Sequence, residues 1–401
     1  MFSLHRLVVA ACVAVALLAA PAVGFAQVQH LEGQIGPGAL YEMDVPAGWN
    51  GALVLFAHGI VQAERPLLPP SEQEGYNLLR GALLANRYAV AASSFASNGW
   101  ALADGVQRTH QLAGLFTSKF GRPKQILLAG LSLGGLVAVK LAETYPRQYD
   151  GALAMCAPLG GGLAEIRYAG DARVTFDAFF PGVLPGTPFE VPQGTEFTPP
   201  STDPPKAGSP LFYSVAGAMT SDADAAMKAG AWIQAAGLPY NPAAAPDAPD
   251  GPLASALYFI GFQLRYTNDL IERVNGKVPY DNLDTVYGVP GAPDQTNQWL
   301  NAVVERFAAD PAALNYYERN YQPTGDIRFP VVTLHTTWDP GVPMWHEDLF
   351  AAKVAEAGRS EFLTRRTATA WGHCNFSGPD ILGAFNTLVA QVSAVNAGKG
   401  K

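Results

Sequence analysis

Short apolar runs separated by helix-length segments constrain this chain more than anything else in it. Ala52-Leu53-Val54-Leu55-Phe56-Ala57 and Ile126-Leu127-Leu128-Ala129 show no alternation of polar and apolar residues. Runs of that length and character are strands buried on both faces, as in a parallel sheet covered by helices. Tyr88 to Ala92, Gly151 to Cys156, Phe329 to His335 and Glu361 to Thr369 read as further strands. Helical spacing fills 72–86, 104–120, 343–357 and 378–395, and a further helical segment runs from Leu136 to Tyr145. Strand and helix therefore alternate, which predicts an α/β fold built on a mainly parallel, doubly wound sheet. Val28 to Ile35 and Ala39 to Val45, broken by Gly36-Pro37-Gly38, read as an antiparallel pair leading into it.

After Cys156 the alternation stops. Residues 181–210 are rich in proline and read as extended loop, and helical patterning follows over 221–236, 252–275, 295–309 and 311–321. The expected organisation is a core of 27–158 and 326–397, interrupted by a helical cap of 159–325. A chain of 401 residues is long enough for one large α/β domain with such an insertion.

The first 26 residues look like an export signal. His5 and Arg6 precede an apolar run from Leu7 to Ala20, and Gly24-Phe25-Ala26 offers small residues where a signal peptidase reads. The run is shorter than the roughly 20 residues a bilayer span requires, so cleavage after Ala26 is expected, with Ala22 as second choice. The protein would then be periplasmic or extracellular. No later segment is read as a membrane span. Cys12 would leave with the signal, and the remaining Cys156 and Cys374 invite one disulfide, with two buried thiols as the alternative. A net charge of −8 without any basic run leaves no footprint for nucleic acid. No metal-ligand spacing and no G-x-G-x-x-G are present, so neither metal nor nucleotide cofactor is expected.

The chemistry concentrates at Gly130-Leu131-Ser132-Leu133-Gly134-Gly135, set between a strand and a helix. In that context G-x-S-x-G reads as a nucleophile elbow, a turn that presents a serine hydroxyl above the sheet at a helix N-terminus. Serine is a weak nucleophile until a histidine takes its proton and a carboxylate orients that histidine. Asp339 stands in the turn after the strand ending at His335, and His373 in a Gly-His turn after the last strand. His335 lies within a strand and reads as a core histidine; His30, His110 and His346 have no motif around them and read as surface or packing residues.

The order Ser132, Asp339, His373 resembles the nucleophile–acid–histidine order of the α/β-hydrolase superfamily, and within it secreted serine esterases and lipases with a large cap. The resemblance spans the core from the strand before His58 to the helix after His373. It implies an oxyanion hole formed by the backbone amides of Leu133 and Ile60, with His58 shaping the latter turn. It also brings Cys156 and Cys374 to the catalytic edge, where a bond between them would pin the histidine loop. That arrangement is partly similar to the histidine–cysteine pairing of tannases and feruloyl esterases, in which the partner cysteine precedes the nucleophile; here that position is Leu131. Phe95, Trp100, Trp338 and Trp371 flank the proposed catalytic loops and are expected to wall an apolar substrate pocket.

The expected activity is hydrolysis of a small or polymeric carboxylic ester through an acyl-enzyme on Ser132. A serine peptidase or amidase is the alternative, and a non-catalytic binding protein on the same fold a third reading. A peptidase that reads a free amine would need cap acids facing Ser132, for which Asp222, Asp224 and Glu272 are available.

Overall fold

The computed structural model describes residues 28–73, 75–202 and 204–399; the expected export signal lies outside them. The chain opens with β1 (Val28–Ile35) and β2 (Ala39–Pro46), an antiparallel pair, and continues through β3 (Ala52–Ala57), α1 (Tyr76–Ala85), β4 (Ala89–Ser93) and α2 (Leu102–Phe120). Then come β5 (Gln125–Leu131), α3 (Leu133–Thr144) and β6 (Gly151–Met155).

Beyond β6 the chain leaves the sheet. It builds α4 (Gly162–Phe179), a two-strand ribbon of β7 (Ser201–Thr202) and β8 (Pro205–Lys206), α5 (Pro210–Thr220), α6 (Ala223–Ala235), α7 (Pro252–Glu272), α8 (Asp294–Val303) and α9 (Pro311–Tyr321). It returns as β9 (Val331–Trp338), α10 (Trp345–Glu356), β10 (Leu363–Trp371) and α11 (Gly378–Lys399). The eight-stranded sheet has the order β1-β2-β4-β3-β5-β6-β9-β10, parallel from β4 to β10.

The apolar runs explain this sheet residue by residue. In β3, Leu53, Leu55 and Ala57 belong to the core packed by α2 and α3, while Val54 and Phe56 belong to the core packed by α1 and α11. Successive side chains point to opposite faces, and both faces are covered, so neither parity can be polar. Fully burying each Leu, Val or Phe contributes about 1.5–3 kcal/mol. By length and composition α11 is apolar enough to cross a membrane, which the sequence reading did not anticipate. Here its Ile381, Ala384, Phe385, Leu388 and Val392 pack against the sheet.

Two helices of the insertion depart from expectation. α4 was not anticipated because Ile166, Tyr168, Ala172, Arg173, Val174 and Phe176 are buried around much of its circumference, leaving no clean apolar stripe. α5 begins where extended loop was expected; Ser209 accepts a hydrogen bond from the Phe212 amide and Pro210 opens the first turn, a start signal obscured by the prolines before it.

Candidate active site

Parallel register brings the carboxyl ends of five strands together. Ala57 of β3 is level with Gly130 of β5, Leu131 with Met155 of β6, and Trp338 of β9 with Trp371 of β10. The residues that follow these ends, His58 to Ile60, Ser132, Cys156, Asp339 and His373, therefore share one edge.

Ser132 has φ 53° and ψ −123°, a left-handed conformation that a side-chain-bearing residue adopts only under constraint. The constraint is visible in its neighbours. A Cβ on Gly130 would lie 2.1 Å from the Gly134 carbonyl oxygen, and one on Gly134 would lie 2.1 Å from that of Ala57. Both obstacles are backbone, so only glycine fits. The Ser132 amide donates to the Met155 carbonyl at 2.8 Å, which fastens the turn to β6.

Ser132 Oγ lies 2.8 Å from His373 Nε2, and His373 Nδ1 lies 2.7 Å from Asp339 Oδ2. The other carboxylate oxygen, Oδ1, accepts the amides of Gly341 and Val342, both at 2.9 Å. Asp339 is fully buried. Burial alone would raise its pKa, but His373, then His335 and the Val342 amide, outweigh burial and hold the carboxyl below its usual range. With Asp339 as carboxylate, Nδ1 of the neutral ring carries the hydrogen and Nε2 is free to accept from the serine hydroxyl.

Beneath this pair sits His335, in β9 and without solvent exposure. Its Nε2 donates to the Val342 carbonyl at 2.8 Å and stands 3.7 Å from Asp339 Oδ2; its Nδ1 is 3.5 Å from Glu347 Oε1. Burial lowers its pKa, and Glu347 and Asp339 more than reverse that, leaving it above the ordinary imidazole value. It is a core histidine, as its strand position suggested, and it also faces the acid.

Cys156 and Cys374 are disulfide-bonded, with Cα atoms 5.3 Å apart across 218 residues. Their sulfurs, with the His373 ring, form the one compact group of metal-type ligand atoms among the described residues, but a disulfide offers no thiolate to a metal. Cys156, Cys374 and Phe95 join Ser132 among the non-glycine residues at positive φ. Strained backbone therefore gathers at this edge.

A narrow cleft with room for little more than a water molecule opens at Ser132, lined by Ile60, Leu133, Pro158 and Val342 from the core side, Trp100 from the loop after β4, and Glu165 and Phe262 from the insertion. Leu133 opens α3, where the first amides have no intrahelical acceptor. Gly59 stands against Ser132, a Cβ on it lying 3.3 Å from that of the serine, and Ile60 and Leu133 line the cleft beside it. His58 is buried, stacks on Phe95 with ring centroids 3.9 Å apart, and bonds the Gly59 carbonyl through Nδ1 at 2.6 Å. Burial lowers its pKa to about 4, so it shapes the turn as a neutral ring.

Of the four aromatic residues expected to wall the pocket, only Trp100 does. Phe95 backs His58 from inside the core, and Trp338 and Trp371 lie paired at the ends of β9 and β10. Trp371 donates from Nε1 to Ser255 Oγ of α7 at 2.6 Å, and the Trp100 amide donates to Asp269 of the same helix. Bonds to α7 fix Trp100 and Trp371, while Phe95 is fixed by its stack on His58. The expected cap acids do not line the cleft either. Asp222 caps α6, Asp224 pairs with Lys228 at 2.7 Å, and Glu272 is exposed. The acid that lines the cleft is Glu165, which no motif marked.

The strand order, the antiparallel β2, the glycine-bound elbow after β5 and the acid and histidine after β9 and β10 define one architecture. The chain has the α/β-hydrolase fold. No protein-family model and no curated protein matches it. Solved structures do. An esterase of Pyrococcus furiosus is similar over 92% of this chain and 89% of that one, at 11% identity and a TM-score of 0.45. A mutant of a rice cell wall degrading esterase from Xanthomonas oryzae is similar over 91% and 87%, at 15% identity and 0.39. An acylaminoacyl peptidase of Pyrococcus horikoshii is similar over 90% of this chain and 40% of that one, at 10% identity and 0.38.

Proposed function

We propose that this protein is an exported serine hydrolase that cleaves carboxylic esters through an acyl-enzyme on Ser132. One observation carries the reading: the unbroken chain from Ser132 Oγ to His373 Nε2 at 2.8 Å and from His373 Nδ1 to Asp339 at 2.7 Å, beside an apolar cleft. Ser132 attacks the ester carbonyl as His373 takes its proton. Asp339 holds the ring and stabilises the imidazolium. The Leu133 and Ile60 amides receive the oxyanion, each typically lowering the barrier by about 3 kcal/mol. His373 returns its proton to the leaving alcohol, and water attacks the acyl-enzyme by the same route. The insertion acts as a cap that governs access and substrate choice, and the export signal would deliver the enzyme beyond the cytoplasmic membrane.

A serine peptidase or amidase is the second reading, since the same triad cleaves both bonds and the cleft does hold one cap acid, Glu165. The test is a panel of p-nitrophenyl esters of graded chain length beside aminoacyl and peptidyl anilides, with wild type and Ser132→Ala. Ester turnover that falls by at least about 10⁴-fold in the variant is expected. Turnover of anilides alone would replace the ester reading with the second one. Turnover of nothing in a Ser132-dependent way would end both.

A further inference from the structure

Glu165 stands in the first turn of α4, is 1% exposed, and is the only acid among the described residues that line the cleft at Ser132. One of its oxygens is occupied. Oε2 lies 2.9 Å from Nε2 of His346, and Nδ1 of His346 accepts the amide hydrogen of Gly160 at 3.0 Å. Because Nδ1 accepts, the neutral ring carries its hydrogen on Nε2 and donates it to Oε2. Both ring nitrogens and Oε2 are thereby satisfied within the protein. Oε1 is not: it is buried and has no hydrogen-bond partner among the described residues.

A buried polar atom without a partner is costly, and on a residue that lines the cleft it gains most from a ligand that opens the cleft and supplies one. The lining around it is otherwise apolar: Ile60, Trp100, Leu133, Pro158, Phe262 and Val342. Burial, and then the nearby Asp339 carboxylate, push the Glu165 carboxyl well above the usual carboxylate range. Burial likewise lowers His346 to about 3, so its ring supplies no positive charge to hold Glu165 ionised. Burial and Asp339, against the smaller opposing effects of His373 and His335, thus favour the neutral acid, in which the free oxygen presents a hydroxyl donor. An ammonium group would be poorly served there, since it would be buried against an uncharged carboxyl.

We propose that Glu165 is the polar recognition point of the cleft and binds a neutral oxygen function, a hydroxyl or carbonyl, carried by the substrate close to its scissile ester. The proposal rests on Ser132 being the nucleophile of an ester hydrolase. It makes the preferred substrate an ester with an oxygen-bearing substituent on its acyl or alcohol part, set against apolar walls. An analogue with a methylene at that point would leave Oε1 unpaired, which is the strongest form of discrimination a buried polar group can exert.

The experiment compares paired esters. On the acyl side, p-nitrophenyl 2-hydroxy-, 3-hydroxy- and 3-oxobutanoate are set against plain butanoate. On the alcohol side, 2-hydroxyethyl butanoate is set against propyl butanoate. A 3-aminobutanoate ester is included, and each kcat/KM is divided by the hydroxide-driven rate of the same ester. Wild type is expected to prefer at least one oxygenated member over its plain partner by tenfold or more. Glu165→Leu should collapse that ratio by tenfold or more. Glu165→Gln should keep most of it, because the amide oxygen can still accept from His346 while its NH₂ donates into the cleft.

A wild-type enzyme that prefers no oxygenated ester overturns the proposal without recourse to any variant. So does a Glu165→Leu enzyme that loses activity evenly on both members of a pair, which would make Glu165 a support for His346 alone. Preference for the amino ester, abolished in Glu165→Gln, would mean an ionised acid reading an ammonium and would also overturn it. Ser132-dependent turnover of the plain esters is scored separately. If plain esters are cleaved and the ratios are flat, the recognition role fails while the hydrolase reading stands; if no ester is cleaved, both fall.

Discussion

On the sheet side of the cleft, each proposed reacting group follows the carboxyl end of a parallel strand, and backbone geometry holds it there. On the cap side, single side chains do the holding. Ser132 is wedged by the backbone of Gly134 and Ala57, and its amide is bonded to Met155; Asp339 is gripped by two amides of its own turn. Across the cleft, Phe262 and Glu165 are aimed by contacts such as Trp371 to Ser255, Trp100 to Asp269 and Tyr168 to the Pro340 carbonyl. The first side tolerates almost no change of backbone shape. The second can exchange residues without disturbing that backbone, which on the proposed reading would alter substrate choice and leave the chemistry in place.

Glycine substitutions break that comparison most sharply. Gly134→Ala should leave no folded active enzyme, or cost more than about 4 kcal/mol, because the added methyl meets backbone oxygens of Ala57 and His58 at 2.1 and 2.5 Å. Expression yield, denaturant midpoint and esterase rate would read this, and a soluble enzyme of near-normal stability would show that the elbow is not held as described. Next in size is the disulfide that bridges β6 to the histidine loop. Replacing both cysteines, Cys156→Ser with Cys374→Ser, should cost about 2–5 kcal/mol and speed local opening of the loop carrying His373. Chemical denaturation with and without reductant measures it, and equal midpoints for the two proteins would remove the bond from the stability of the site.

Acid titration sharpens the comparison from another direction. His58 is held neutral by burial, with a pKa of about 4 against 6.5, and His346 at about 3. Between the unfolded and folded values the unfolded chain binds a proton that the native one refuses, so stability falls as pH drops below 6.5. For His58 alone the full loss is on the order of 3 kcal/mol by pH 4. His335 works in the opposite sense. Its folded pKa is raised, so its contribution is present below 6.5 and is lost as pH rises through the folded value. Glu165, raised above the carboxylate range, works in the same sense as His335 from its ordinary value upward and offsets part of the acid-side loss, so His335→Asn should flatten the alkaline slope of melting temperature. The Asp339 contribution is lost only below its ordinary 3.8. A His58 or His346 imidazole that titrates near 6.5 in an NMR pH series would contradict their neutral burial.

The smallest expected effect lies on the cap. Gly217, within α5, has open space where a methyl would go, so Gly217→Ala should stabilise the protein by up to about 1 kcal/mol and leave ester turnover alone. A loss of activity there would mean that the cap is tuned as tightly as the elbow.

How much of this was legible in the residues follows the same division. The strands of the core, the glycine-flanked serine, and the acid and histidine in their turns could be placed without a structure. The information for each sits within a few consecutive residues: a strand's apolar run, the punctuation after it, the glycines a tight turn requires. The disulfide was legible too, once the strand ends were placed. The pocket was not. Four aromatic residues adjoin the proposed catalytic loops in sequence, and three of them do not line the cleft. Phe262 and Glu165, which do face it, come from helices whose spacing shows no preference for that direction.

The sequence by itself determined that this chain folds as a doubly wound sheet with Ser132, Asp339 and His373 at one edge, because strand ends and turns are specified locally. Only the tertiary structure decided what confronts the serine from the other side. Glu165, which lines the cleft, meets His346 across 181 residues of chain, and that pairing leaves its other carboxyl oxygen without a partner among the described residues. Such a vacancy depends on packing among elements far apart in sequence, and no local pattern encodes it.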